Sequence, residues 1–159
     1  MSYVTDGTIG IDVTRVTATQ EFSLGQVHKG TNDTEWVYCQ DSGSGLTQYD
    51  YACIDEAFSA TTGTTTLLDA GYQVGFPQVA FTASYYGWIP ITGKGIYVNA
   101  LTSCAADTTI YTSGTAGKLD DSVSAGSQIS GIVLTSAAGG TATATACPII
   151  ATHPFATSP

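Results

Sequence analysis

Apolar and polar residues alternate along most of this chain, most densely from Gly71 to Leu101, GYQVGFPQVAFTASYYGWIPITGKGIYVNAL. A period of two predicts strands, and three follow in a row. The first, Tyr72–Phe81, carries Val74 and Phe76 on one parity, then Val79 and Phe81 on the other. Pro77 cannot donate to a ladder, so the phase slip predicts a bulge or bend at Pro77-Gln78. The second, Tyr85–Thr92, sets Ile89 and Ile91 on one face and Tyr86, Trp88 and Pro90 on the other. Gly93-Lys94-Gly95 then reads as a tight turn that closes a hairpin onto the third, Ile96–Leu101. Each strand is apolar on both parities. That predicts two covered faces, one closed by the fold and one by a partner.

Shorter segments of the same kind flank this core. Phe22–Lys29 and Glu35–Gln40 predict a hairpin across the Gly30–Thr34 turn, with Trp36 and Tyr38 on one face and Val37 and Cys39 on the other. Asp41–Gly45 reads as a Ser/Gly connector, Gln48–Ile54 as a strand, and Leu67-Leu68 as a single helical turn. Ala105–Tyr111 predicts a strand, Gly114–Gly117 a turn, Lys118-Leu119 a short return and Ile129–Ser136 a buried strand. Ala137–Ala146 is either a flexible loop or an edge strand. Cys147–Phe155 closes the sheet, and Pro148 and Pro154 assign it to an edge. Nowhere do apolar residues recur at helical spacing over three turns. The class is therefore all-β: a single-domain β-barrel or β-sandwich over residues 21–159, preceded by an extended N-terminal arm, residues 1–20. Ile9, Ile11, Val13 and Val16 are spaced along that arm as on a strand. It adds either to its own sheet or to a neighbour.

Charge narrows the partners. Four Lys plus Arg stand against 13 Asp plus Glu, a formal charge of −9. Arg15, Lys29, Lys94 and Lys118 are scattered in sequence, which leaves no basic patch for nucleic acid or an anionic membrane. Only 11% of residues are charged while 43% are hydrophobic, a balance that suits an assembly subunit with much of its surface covered. The start, MSYVTDGTIGIDVT, has no basic region followed by an apolar run, and no stretch reaches the ~20 apolar residues of a membrane span. Neither a secretory leader nor a membrane segment is expected. Cys39, Cys53, Cys104 and Cys147 lie far apart without CxxC spacing and read as reduced small hydrophobes. Asn32-Asp33-Thr34 reads as a hairpin turn.

Little in the sequence points to catalysis. His28 and His153 are isolated, and no nucleophile elbow, phosphate loop, dinucleotide fingerprint or zinc spacing is present. Asp55-Glu56 and Asp120-Asp121 read as solvated loops, since adjacent carboxylates on a strand point to opposite faces and no calcium-loop spacing accompanies them. Asp50 and Asp107 read as turn caps. No catalytic residue, cofactor or metal is expected, and the chain reads as a non-enzyme. The aromatics carry more weight: Tyr85, Tyr86 and Trp88 lie together, with Trp36 and Tyr38 elsewhere in the sheet. Three uses compete for them. They form a docking face, an internal layer of a sandwich, or a platform on which sugars stack.

The strings FSLGQVHKGTNDTEWVYCQ, QYDYACIDEAF, the pair GYQVGFPQVAF and YYGWIPITG, and ADTTIYTSGTAGKLDD followed by GIVL resemble small tailed-bacteriophage head proteins. These are the decoration, cement or capsid-stabilising proteins encoded next to the major capsid protein. The resemblance spans Phe22 to Phe155. It implies a compact β-barrel or sandwich on the outer surface of the virion, made in the host cytoplasm. Such a protein bridges capsomers of the major capsid protein as a homotrimer, with a homodimer as the alternative. It implies no catalytic residue. The interface expected on this reading comprises Ile9, Ile11, Val13, Val16, Tyr85, Tyr86 and Trp88. Another virion part, such as a tail or fibre component, and a carbohydrate-binding module are the competing readings.

Overall fold

The computed structural model of the chain describes residues 10–122, 126–137, 143–149 and 155–157, the last two ranges as strand backbone. Its first hairpin is set by a two-residue turn. Asn32 and Asp33 both take positive φ (58° and 57°), and Thr34 N–H donates to Thr31 O at 3.2 Å. Two left-handed residues give the turn a twist that matches the strands it joins, and Asn and Asp tolerate that conformation. Strand β1 (Val27–Lys29) thus pairs antiparallel with β2 (Glu35–Asp41), Val27 opposite Val37 and Lys29 opposite Glu35.

The remaining elements are β3 (Ala52–Ile54), β4 (Ser59–Thr62), α1 (Thr65–Asp69), β5 (Gln73–Gly75), β6 (Tyr86–Ala100), β7 (Ile110–Thr112), β8 (Leu119–Asp120), β9 (Gln128–Ser130), β10 (Thr143–Ile149) and β11 (Phe155–Thr157). They hydrogen-bond in the order β11-β9-β7-β8-β6-β2-β4-β3-β5, with β1 added to β2 and β10 added to β6. The path ends at β5 and β11 without closing, so the all-β domain is consistent with a sandwich and is not a barrel. Helix α1 is the helical turn expected at Leu67-Leu68. Thr64 caps it by accepting from Leu67 N–H, and Leu68 is buried. Among the described residues no helix is long and apolar enough to cross a membrane.

The expected three-strand run is arranged differently. Strand β5 stops at Gly75, ahead of Pro77, and Phe81 returns only as a bridge to Leu46. Beyond that, Gly93-Lys94-Gly95 makes no hairpin: β6 runs straight through it for 15 residues. Its first half pairs with β2 and its second with β10 and β8. The two glycines, at φ 123° and 75°, shift the phase of the strand instead of reversing it. Ile89 and Ile91 therefore enter a core with Val37, Cys39, Leu46, Ala52, Ile54, Ala60 and Phe81. Ile96, Val98 and Ala100, of the opposite parity, enter a second core with Tyr51, Cys53, Leu68, Val74, Phe76, Ile110, Leu119, Ile129 and Leu134. Strand β3 lies between the two cores, with Ala52 and Ile54 in one and Cys53 in the other. Apolar residues on both parities thus reflect two cores within one chain.

Four other strands are shorter than their sequence pattern: Phe22–Lys29 is strand only from Val27, and Ile129–Ser136 only as far as Ser130. Gln48–Ile54 is strand only from Ala52, because Tyr49 takes φ 69° and breaks the extended run. Ala105–Tyr111 is strand only from Ile110, after the left-handed residues Ser103 and Asp107. Asp107 thus shapes its turn through its backbone. The tract Ala137–Ala146 yields strand from Thr143, its residues 138–142 lying outside those described. The expected closing strand Cys147–Phe155 is divided: Cys147–Ile149 ends β10, which pairs with β6, and Phe155 begins β11, which ends the sheet path, with residues 150–154 outside those described.

The phase shift of β6 predicts a contrast between its glycines. A Cβ on Gly93 would stand 2.5 Å from Thr34 Cα, whereas one on Gly95 would meet only Asn32 Nδ2 at 3.9 Å. Gly93→Ala is expected to destabilise the fold by more than about 2 kcal/mol, and Gly95→Ala by about 1 kcal/mol from backbone strain alone. Urea unfolding midpoints at constant slope measure both. Equal midpoints for the two variants would contradict this path for β6.

Candidate functional site

The turn of the first hairpin and the far half of β6 face each other, and Lys94 N–H donates to Asn32 O at 3.0 Å across the gap. Beside this bond opens a cleft of about 600 Å³. Its walls are Gly10, Ile11 and Val13 from the arm, the hairpin from His28 to Asn32 with Thr34 and Trp36, then Gln78, and β6 from Lys94 to Tyr97. Two of the chain's three lysines, Lys29 and Lys94, come together here although they are far apart in sequence. Among the described residues the lining contains one histidine, no cysteine and no carboxylate.

Most of its hydrogen-bonding side chains are already engaged. Trp36 Nε1–H donates to Thr34 Oγ1 at 3.0 Å, and Thr34 Oγ1 donates to Thr31 O at 2.8 Å. His28 Nε2 meets the Gln26 amide nitrogen at 2.8 Å and so accepts from it. Gln78 Nε2 donates to Phe76 O and to Tyr97 O, while Gln78 Oε1 accepts from Tyr97 N–H at 3.1 Å. Tyr97 keeps half its surface exposed, its ring 5.6 Å from that of Tyr49. The other basic residues are committed elsewhere. Arg15 pairs with Glu21 at 2.5 Å, and Lys118 with Asp50 at 2.5 Å.

Of the residues expected at an interface, Ile9 lies outside the described residues, as does His153. Ile11 and Val13 line the cleft. Val16 packs against the first core, and Thr17 exchanges both backbone hydrogen bonds with Tyr86 at 2.9 and 2.8 Å. The described part of the arm therefore adds to its own sheet. Tyr85 and Tyr86 are half-buried, with Tyr86 stacked 6.3 Å from Tyr38. Trp88 is only 1% exposed, its ring enclosed by Phe22, His28 and Tyr38 at 5.1–5.2 Å. It is an internal layer, closed by Phe22 from the segment that precedes β1. Its ring is open neither to a partner nor to a sugar.

The carboxylates divide between turns and ties. Asp55 caps its own turn by accepting from Ala57 and Ser59 N–H. Asp50, expected as a turn cap, instead accepts from Lys118 Nζ and, at 2.7 Å, from Asn99 Nδ2. The supposed connector Asp41–Gly45 has an organiser. Asp41 is buried, and its Oδ2 accepts from the N–H groups of Gly43, Gly45 and Ser84. Its one sequence signal is an Asp directly preceding Ser-Gly-Ser-Gly, a pattern of side-chain-to-backbone bonding.

Asp120 and Asp121 do not point apart. β8 ends at Asp120, and a ligand atom from each carboxylate lies with Cys104 Sγ inside a 4.8 Å group. The group is satisfied as it stands: Asp121 Oδ2 accepts from Ala105 N–H at 2.8 Å, and Cys104 Sγ donates to Asp120 Oδ1 at 3.8 Å. Burial first, and then the Asp121 carboxylate, push the Cys104 thiol up to about 11. Each member thus has a partner within the chain, and the cluster closes the loop after β6 onto the end of β8. No protein-family model and no curated protein matches the chain.

The buried thiols predict the alkaline behaviour of the fold. Burial raises Cys53 from 9.0 to about 11, does the same for Cys104, and raises Cys39 further. Above pH 9 the unfolded chain therefore holds fewer protons than the folded one, and stability falls as pH rises. Each of these thiols removes at most about 1.4 kcal/mol per pH unit, the loss ending near pH 11 for Cys53 and Cys104. Urea midpoints between pH 8 and 11 test the slope. Labelling at pH 8, located by peptide mapping, is expected to spare all three; rapid labelling of any of them would contradict its burial.

Proposed function

We propose that this chain is a decoration protein of a tailed-phage head. It docks on the outer surface of the shell and bridges capsomers of the major capsid protein. It acts as a trimer, with a dimer as the alternative. The supporting observation is the cleft, a concave surface equipped for contact and not for chemistry. Among the described residues it presents aromatic, aliphatic and ammonium groups without a cysteine or carboxylate. Val27 and Tyr97, half-exposed large apolar side chains, extend it: Tyr97 lines the cleft and Val27 shares its parity on β1 with Lys29. The docking face thus moves from the Trp88 layer, which the chain covers itself, to the mouth between arm, hairpin and β6. A repeating lattice makes modest contacts of this kind sufficient, because many act at once.

Mixing the purified protein with bare expanded heads tests the proposal, with saturation at a lattice-like stoichiometry expected. Tyr97→Ser is expected to weaken head binding about tenfold. It should leave thermal unfolding nearly unchanged, since the ring is half exposed. Absence of saturable binding to heads, or binding to glycans in its place, would overturn the assignment. Solution mass, alone and with capsomers, separates trimer from dimer.

A further inference from the structure

We infer that the cleft receives an extended, acidic segment of a partner polypeptide, its carboxylates meeting Lys29 and Lys94 and its apolar residues meeting Ile11, Trp36 and Tyr97. This names the ligand chemistry of the surface proposed above and rests on that surface being a docking face. Charge is the first argument. The chain has 13 carboxylates against four basic side chains, yet among the described residues the cleft gathers two lysines and no Asp or Glu. Within an acidic molecule such a mouth is a local attractor for anions and repels little of what approaches it. Lys94 is exposed and has no carboxylate partner among the described residues. Lys29 touches Glu35 at 3.4 Å, but its side chain is 83% exposed. A pair that loose contributes little and exchanges readily for a better-placed carboxylate.

The second argument separates a peptide from an acidic sugar. Reading sugar hydroxyls takes free amides, hydroxyls and carboxylates. Here Gln78, Thr34, Trp36 and His28 are bonded within the chain, which leaves Thr31, Asn32 and the Tyr97 hydroxyl, and no carboxylate among the described residues lines the cleft. The charged groups that the cleft does present are ammonium groups over apolar surface. That matches a chain in which acidic and apolar residues alternate, as they do along an extended peptide.

The test uses the full-length protein and a fluorescein-labelled, amidated peptide of alternating leucine and glutamate, read by anisotropy. Its glutamine counterpart and an oligogalacturonate serve as the other probes. The glutamate peptide is expected to bind at least tenfold more tightly than the glutamine one, and to weaken as salt rises. The double change Lys29→Ala and Lys94→Ala is expected to cost tenfold or more. Arg15→Ala removes one positive charge outside the cleft and is expected to change binding less than twofold, against an expected loss of threefold or more for Lys94→Ala alone. Equal affinity for the two peptides, a measurement that needs no variant, would overturn the inference. So would undiminished binding by the double variant, or binding of the oligogalacturonate alone. Heads separate the two proposals. If the double variant still saturates heads, only the acidic-segment inference fails; if the peptide binds the cleft while heads are ignored, only the capsid assignment fails.

Discussion

Strand β6 serves two cores because its faces exchange between Ile91 and Ile96, and the rest of the domain is arranged around that exchange. An ordinary strand keeps alternate side chains on one face for its whole length. Fifteen residues of unbroken alternation would bury Ile89 and Ile91 but direct Ile96, Val98 and Ala100 away from the cavity they fill. Gly93 resolves the conflict with a backbone conformation, φ 123°, that side-chain-bearing residues rarely adopt, and it lies close against Thr34. The same contact brings the hairpin turn over β6. The cleft thus exists where it does because the strand changes phase there.

Polar ties hold what the apolar clusters leave loose. The Asp50–Lys118 pair, 10% and 21% exposed at the side chain, links the loop before β3 to the one before β8, and Asn99 joins it from β6. Removing one partner of such a shielded pair costs about 3–5 kcal/mol, because the charge left behind stays poorly hydrated. Gly117 sits against Asp50, where a Cβ would approach within 2.7 Å, and its backbone bonds to Tyr51 and Gly63. That corner fastens the part of the chain around β3 to the part around β7 and β8. Asp41 does the same more locally, gathering three backbone donors from two loops.

Local chemistry was legible in the sequence; long-range arrangement was not. Asn32-Asp33 announces its turn through residues that tolerate positive φ, Leu67-Leu68 its helical turn, and Gly114–Gly117 the return into β8. The facing of Val37 and Cys39 against Tyr38 followed from parity alone. Gly93-Lys94-Gly95 misled because the same two glycines permit either a reversal or a phase shift, and the choice depends on what lies across the strand, here Thr34 and β10. Trp88 misled for a related reason: its cover, Phe22, comes from a segment whose path no pattern specified. Lys29 and Lys94 read as scattered charges because only the fold brings hairpin and β6 together. The cleft was therefore beyond sequence reasoning, although its aromatic members were individually conspicuous.

The Gln78 amide bears on how copies of this protein avoid each other. It offers Tyr97 both a carbonyl and an N–H, the two groups a neighbouring peptide bond would supply. A side chain acting as a false neighbour blocks that margin of the sheet, so a second molecule finds no open row of amides to zip onto there.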